Sequence, residues 1–297
     1  MFALVFMLGI MSSPICARPP PDSSRDAWWY LERQVGFGPR NPGSVGHRLV
    51  RDFLHAELLN LADSVEVQAF EISSEGEDYE MSNISALFRS SDGQSEPYVI
   101  LAAHFDTRPQ AEHDPDPALR HTPIVGANDG ASGVAILMEI AGVLAMKRPP
   151  VPIRLVFFDG EDFGPSADMM FLGSRRLAAE IDPSEVRYMI LLDMVGDEDL
   201  DIFIEENSYT FAPQLVDAVW ASAASMGYSS VFHNEVRHWI LDDHIPFINR
   251  GIPAIDIIDF DYPFWHTTHD TIDKCSKESL DTVRDVILDV VFNSPIP

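Results

Sequence analysis

The chain has 297 residues, 46% of them hydrophobic, and its 47 acidic and 20 basic side chains leave a formal net charge of −27. That length and apolar content provide for a substantial core, while the charge repels phosphate backbones and sets nucleic acid aside as a partner. No repeat, heptad array or low-complexity block interrupts it.

Residues 1–10 are apolar but too few to span a bilayer, and Ile15-Cys16-Ala17 follows small and polar residues as a cleavage site does. Residues 1–17 therefore read as an export signal, for a periplasmic or extracellular protein; because no Lys or Arg precedes the apolar run, a membrane anchor and a misassigned start are the other readings. Residues 18–25 read as a Pro/Ser linker and 26–297 as one domain. Cleavage would remove Cys16 and leave Cys275 alone, so no disulfide is expected in the mature chain. No later stretch is long enough to be transmembrane.

Residues 26–34 are aromatic and amphipathic, and 47–61 place Leu49, Val50, Phe53, Leu54, Leu58 and Leu59 at helical spacing. Residues 65–72 and 81–88 alternate as half-exposed strands do. Residues 98–103 form a nearly unbroken apolar run, the mark of a central strand, which ends at His104-Phe105-Asp106. A Pro-rich loop then reaches the turn Gly126-Ala127-Asn128-Asp129-Gly130, which opens onto apolar residues 134–144. That run reads as a buried helix stopped by Lys147-Arg148-Pro149-Pro150. Strands at 153–158 and 188–192 enclose a helix running through Leu177. A strand at 201–204, a helix at 212–226, a strand at 254–258 and a helix at 277–292 complete the order.

Apolar strands alternating with helices imply an α/β fold: a three-layer sandwich whose mixed, mostly parallel sheet has helices on both faces. Ligands in such folds bind outside the carboxyl ends of the strands. His104, residues 159–162, Asp193 and His266 fall at that edge. Asp129 alone reads as a helix cap, an acidic residue at a strand end as merely solvated, and a lone loop histidine as a surface group. Gathered at one edge, however, the carboxylates would repel each other unless a cation or shared protons intervened. Carboxylates plus imidazole in a three-ligand site are what catalytic zinc takes.

In that order, His104-x-Asp106, Asn128-Asp129, Gly160-Glu161-Asp162, Leu192-Asp193-Met194 and Trp265-His266-Thr267 resemble the zinc-dependent exopeptidase superfamily, which holds di-zinc aminopeptidases and zinc-dependent glutaminyl cyclases. Asp242-Asp243-His244-Ile245-Pro246-Phe247 with Arg250-Gly251-Ile252-Pro253, and the loop from His104 through Pro117, resemble the bacterial cyclases. The resemblance implies one Zn2+ on Asp129, Asp162 and His266, with Glu161 as general acid/base. Asp193 and Asp242 would surround Glu161 in a carboxylate network that raises its pKa. Trp265 would wall the substrate, a peptide or protein N-terminus, with plain core as its other reading. The reaction implied is closure of an N-terminal glutamine to pyroglutamate with loss of ammonia. An alternative on the same fold is a di-zinc aminopeptidase, in which His104 and Asp193 take a second ion and Asp129 bridges. A non-catalytic binding module is disfavoured, because Glu161 and the full ligand set are retained.

The chain departs from the family in places. Asp162 is shorter than the usual Glu, so it must approach more closely or its backbone must shift. Asp256 stands where animal cyclases have a histidine, and Ala103 and Val134 replace their bridged cysteines. His113, His121, His233, His238 and His269 read as surface or loop residues, and His244 as a support for the Asp242 loop.

Overall fold

A computed structural model describes residues 24–74, 76–164 and 166–293. The expected export signal, Cys16 and most of the linker lie outside the described residues. The chain enters through α1 (Ala27–Val35), where the Asp26 side chain accepts the Trp29 N–H, and α2 (Val45–Leu61), where Ser44 accepts from His47 in the same way. Next come β1 (Ser64–Ser74), β2 (Glu77–Phe88), β3 (Tyr98–His104), α3 (Ala131–Met146), β4 (Ile153–Phe158), α4 (Leu172–Glu180) and β5 (Val186–Asp193). The remainder is β6 (Ile202–Ile204), α5 (Glu206–Phe211), α6 (Pro213–Ser225), β7 (Phe232–Val236), α7 (Ile245–Ile248), β8 (Ala254–Ile258) and α8 (Lys277–Asn293). Among the described residues no helix is long and apolar enough to cross a membrane.

The central sheet has six strands in the order β1-β2-β4-β3-β5-β8. β1, β2 and β4 pair antiparallel, and β4, β3, β5 and β8 run parallel. The unbroken apolar runs follow from burial on both faces, because side chains alternate along a strand. Val99, Leu101, Ala103, Leu155, Phe157, Ile190 and Leu192 face a core shared with α1, α2, α3, α6 and α8. Ile100, Ala102, Val156, Phe158, Met189 and Leu191 face a second core, which takes Leu177 and Ala178 from α4 and Phe247 from α7. This is the three-layer α/β sandwich expected. α3 is buried almost all round, and at Gly133 it lies so close to β5 that an added Cβ would stand 2.2 Å from the Leu192 carbonyl oxygen.

One element was not expected and one expectation needs correction. The helix expected at 212–226 is observed as α6, but a separate α5 precedes it. Ala212 leaves helical geometry (φ −141°, ψ 50°) because the residue before a proline is disfavoured in the α region. The strand expected near 201–204 does not join the central sheet but pairs with β7 in a two-stranded parallel one. β7 itself carried no readable pattern, since only Phe232 in it is buried.

What matters for function is the carboxyl edge of the parallel strands. From β3 the chain crosses to β4 on one side, and from β4 it crosses back to β5 on the other. A crevice outside the strand ends forms at such a reversal. His104 is the last residue of β3 and Asp193 the last of β5, while residues 159–162 follow β4.

Candidate metal centre

Asp129 does not cap α3. The N-cap is Gly130, which has no side-chain capping bond, and the Asp129 carboxylate points across the crevice instead. Its Oδ1 is 3.2 Å from His104 Nε2 and its Oδ2 is 3.7 Å from His266 Nε2. Gly130 permits this approach, because an added Cβ would sit 2.3 Å from His104 Nε2. The turn is held by Asp270, whose carboxylate accepts the backbone N–H groups of Asn128 at 2.9 Å and Asp129 at 3.2 Å and the Tyr262 hydroxyl at 2.8 Å. The buried Arg40 supports it from below by donating to the carbonyls of Phe105, Val125 and Gly126.

His266 Nε2 lies 3.2 Å from Asp162 Oδ1, so Asp129, Asp162 and His266 converge with one ligand atom from each within 4.8 Å of the others. His104, Asp129 and Asp193 meet the same limit, with His104 Nε2 at 3.1 Å from Asp193 Oδ1. One carboxylate, Asp129, therefore serves both clusters. Asp106 shows how the short Asp162 reaches its place: its two oxygens accept the backbone N–H groups of Glu161 and Asp162, each at 3.1 Å, and draw that turn inward. His266 has a left-handed backbone, φ 53°, a conformation costing about 1–3 kcal/mol that persists only where surroundings impose it.

Burial and charge set the protonation pattern. Asp129 is pushed up to about 6 by burial first, then by the charges of Asp162 and Asp193, with His104 opposing. Burial alone would lower His266, yet Asp162, Glu112 and Asp129 raise it to about 10. Likewise Asp193 and Glu161 outweigh burial and raise His104 well above the ordinary imidazole value. The imidazoles thus gather positive charge among clustered carboxylates. Asp129 Oδ2 and Asp162 Oδ2 are also buried with no hydrogen-bond donor among the described residues. Buried carboxylate oxygens beside two imidazoles are a donor set that fits Zn2+.

Glu161 is buried beside this set, with Oε2 at 3.7 Å from His104 Nδ1. Burial raises its carboxyl well above the usual range, followed by the charges of Asp162, Asp242 and Asp243. Asp242 was expected among these groups; its neighbour Asp243, also buried and pushed up to about 7 by burial, was not. Behind them Asp256 on β8 faces Asp242, and burial with the charges of Asp242, Asp193 and Glu205 raises it well above the carboxylate range. His244 is fully buried and lies 3.4 Å from Glu205, which also caps α5, so it ties the Asp242 segment to that helix.

A small pocket opens onto these groups. Asp129, Glu161, Asp162, Asp193, Asp242 and His266 line its polar side; Met194, Ile240, Ile258, Phe260 and Trp265 are among its apolar walls. All the candidate site residues read from the sequence thus border one space or, for His104, stand directly behind it. His113, read as a surface loop residue, is exposed but also packs on Trp265 and His266, with centroids 4.8 and 5.5 Å away. Sequence reasoning passed over Arg40, Glu112 and Asp270, which carry no motif. It also passed over His47, whose Nε2 is 2.8 Å from Asp159 Oδ1 at the start of the Glu161 turn.

The sequence profile of peptidase family M28 matches residues 83–291. A glutaminyl-peptide cyclotransferase of Drosophila melanogaster is 29% identical over 266 residues, covering 78% of this chain and 70% of that protein. Among solved structures, a zinc-dependent exopeptidase from Parabacteroides distasonis superposes with a TM-score of 0.86 at 35% identity, covering 93% of this chain and 100% of the other. The glutaminyl cyclase of Tannerella forsythia superposes with a TM-score of 0.85 at 37% identity, with the same shares covered.

Proposed function

This chain belongs to peptidase family M28, and from that membership we propose that it is a zinc-dependent glutaminyl-peptide cyclotransferase. The reading is carried by the buried carboxyl group of Glu161, set between the Asp129–Asp162–His266 cluster and Asp242, Asp243 and Asp256. Similarity to named cyclases over most of the chain supports it.

Asp129, Asp162 and His266 would hold one Zn2+, which when bound supplies Lewis-acid polarisation of the substrate's side-chain amide carbonyl. Trp265, Phe260 and Ile240 orient the glutaminyl side chain in the apolar half of the pocket and exclude water. Glu161 takes a proton from the α-amine as its nitrogen bonds to the side-chain amide carbon. It then gives that proton to the departing amide nitrogen, which leaves as ammonia. A carboxyl with a raised pKa suits both halves of this transfer. Asp193 and Asp242 keep the surrounding charge in place. The apolar stretch at 1–10 supports an export signal and an activity outside the cytoplasm, which N-terminal sequencing of the released protein tests.

One observation favours a second reading. The His104–Asp129–Asp193 cluster could take a second ion, and Glu161 would then serve peptide hydrolysis. Incubating zinc-loaded protein with glutaminyl and leucyl arylamides separates the two. Cyclisation releases ammonia from the glutaminyl compound and leaves the leucyl compound intact. Free leucine and arylamine without ammonia would establish the peptidase instead.

A further inference from the structure

Two of the proposed zinc ligands are held from behind by residues that lie outside the pocket lining. Arg108 and Glu112 stand four residues apart in the loop after β3. Arg108 donates through Nε and Nη2 to Glu112 Oε1 at 2.8 and 2.5 Å. Its Nη1 donates to Asp162 Oδ1 at 3.1 Å and to the Gly164 carbonyl at 2.7 Å. All the guanidinium nitrogens are therefore engaged. Glu112 Oε1 lies 3.2 Å from His266 Nδ1, on the far side of the ring from Nε2, which faces Asp129 and Asp162. Glu112 Oε2 and His266 Nδ1 are both buried and have no hydrogen-bond partner among the described residues, which leaves each available to the other. The same loop grips His266 again through its carbonyl oxygen, which accepts the His113 N–H at 3.1 Å.

We propose that Arg108 and Glu112 act as a clamp of positioning residues for the metal centre, Glu112 fixing the tautomer and tilt of His266 and Arg108 fixing Asp162. The inference rests on the zinc reading above. A carboxylate that takes Nδ1–H leaves the Nε2 lone pair free for a metal and makes it more basic. Asp162 needs such bracing, because its arm is one methylene shorter than the Glu usual at that place in the family. With Oδ1 pinned by Arg108, its Oδ2 is left buried and without a donor among the described residues. Arg108, with a bond from each of its three guanidinium nitrogens, serves better as a brace than as a substrate contact.

The test measures Zn2+ affinity by competition with a chromophoric chelator, and the absorption bands of the Co2+-loaded protein, for Glu112→Ala, Glu112→Gln and Arg108→Met. Glu112→Ala and Arg108→Met should each weaken Zn2+ binding by about 10–100-fold and shift the Co2+ bands. Glu112→Gln, which keeps an acceptor oxygen and the shape of the loop, should recover part of the loss. Affinities for all three variants within about twofold of the unsubstituted protein would overturn the clamp while leaving the zinc reading standing. Failure of the unsubstituted protein to bind Zn2+ would overturn both.

Discussion

Replacing Glu161 with Gln tests the chemistry at its most specific point. The substitution keeps side-chain length and leaves the backbone anchor intact, since the Glu161 N–H still donates to Asp106 Oδ1. Its side chain makes no hydrogen bond or ion pair with Asp129, Asp162 or His266 among the described residues, so the metal content should not change. What is lost is a buried group able to take and return a proton. Positioned general acid/base groups contribute about 10²–10⁴-fold, and at about 1.36 kcal/mol per factor of ten that is about 2.7–5.4 kcal/mol of barrier. The loss should fall on kcat, with KM little changed, because the apolar walls that bind the substrate are untouched. Ammonia release from a glutaminyl arylamide, followed across substrate concentration with zinc measured on the same samples, reads both quantities. A kcat reduced by less than about tenfold at equal zinc content would refute Glu161 as the proton carrier.

Three further outcomes follow from the same geometry. Because Glu161 must be ionised to accept a proton and burial raises it well above the ordinary 4.5, kcat/KM should rise with pH through a limb above that value. Asp242→Asn removes one of the like charges behind it and should move the limb to lower pH; a limb already at 4.5 in the unsubstituted enzyme contradicts this. Zinc affinity should strengthen with pH up to about 10, where the raised His266 loses its proton, by about tenfold per unit for each proton displaced. Isothermal titration at several pH values checks it, and a flat profile would count against His266 as a ligand. Arg40→Met strands the carbonyls of Phe105, Val125 and Gly126 beneath the Asp129 turn. At about 1–3 kcal/mol per orphaned group it should cost about 3 kcal/mol or more in a urea titration, and a loss under about 1 kcal/mol would show the turn needs no such support.

The parts of the fold readable in advance are those in which one physical cause dominates a continuous stretch. β3 and β4 are buried on both faces, so their apolar runs stand out, and α3 is buried almost all round. β7 and α5 were invisible because neither carries a continuous apolar pattern: β7 buries one residue and α5 is six residues long. The candidate cluster was legible through motif order, since Asp129 and Asp162 sit at glycine turns, His104 and Asp193 end strands, and His266 stands in the Trp265-His266-Thr267 motif. Its supports were not. Asp270 reaches the Asn128 N–H across 142 positions, and Gln34 reaches the Ala131 carbonyl across 97, and no local pattern announces such a contact. The helix-cap reading of Asp129 failed for the same reason. Local propensity favours a carboxylate at a helix start, but His104 and His266, brought in from β3 and from beyond β8, claim the side chain.

The central claim is that one divalent cation draws Asp129, Asp162 and His266 to a common point. Anomalous diffraction from crystals of zinc-loaded protein, recorded on either side of the zinc absorption edge, tests this directly. The account predicts a strong peak among Asp129 Oδ2, an Asp162 carboxylate oxygen and His266 Nε2, about 2.0–2.2 Å from each. A zinc peak elsewhere in the molecule, with these three side chains bound to nothing but each other, would contradict it.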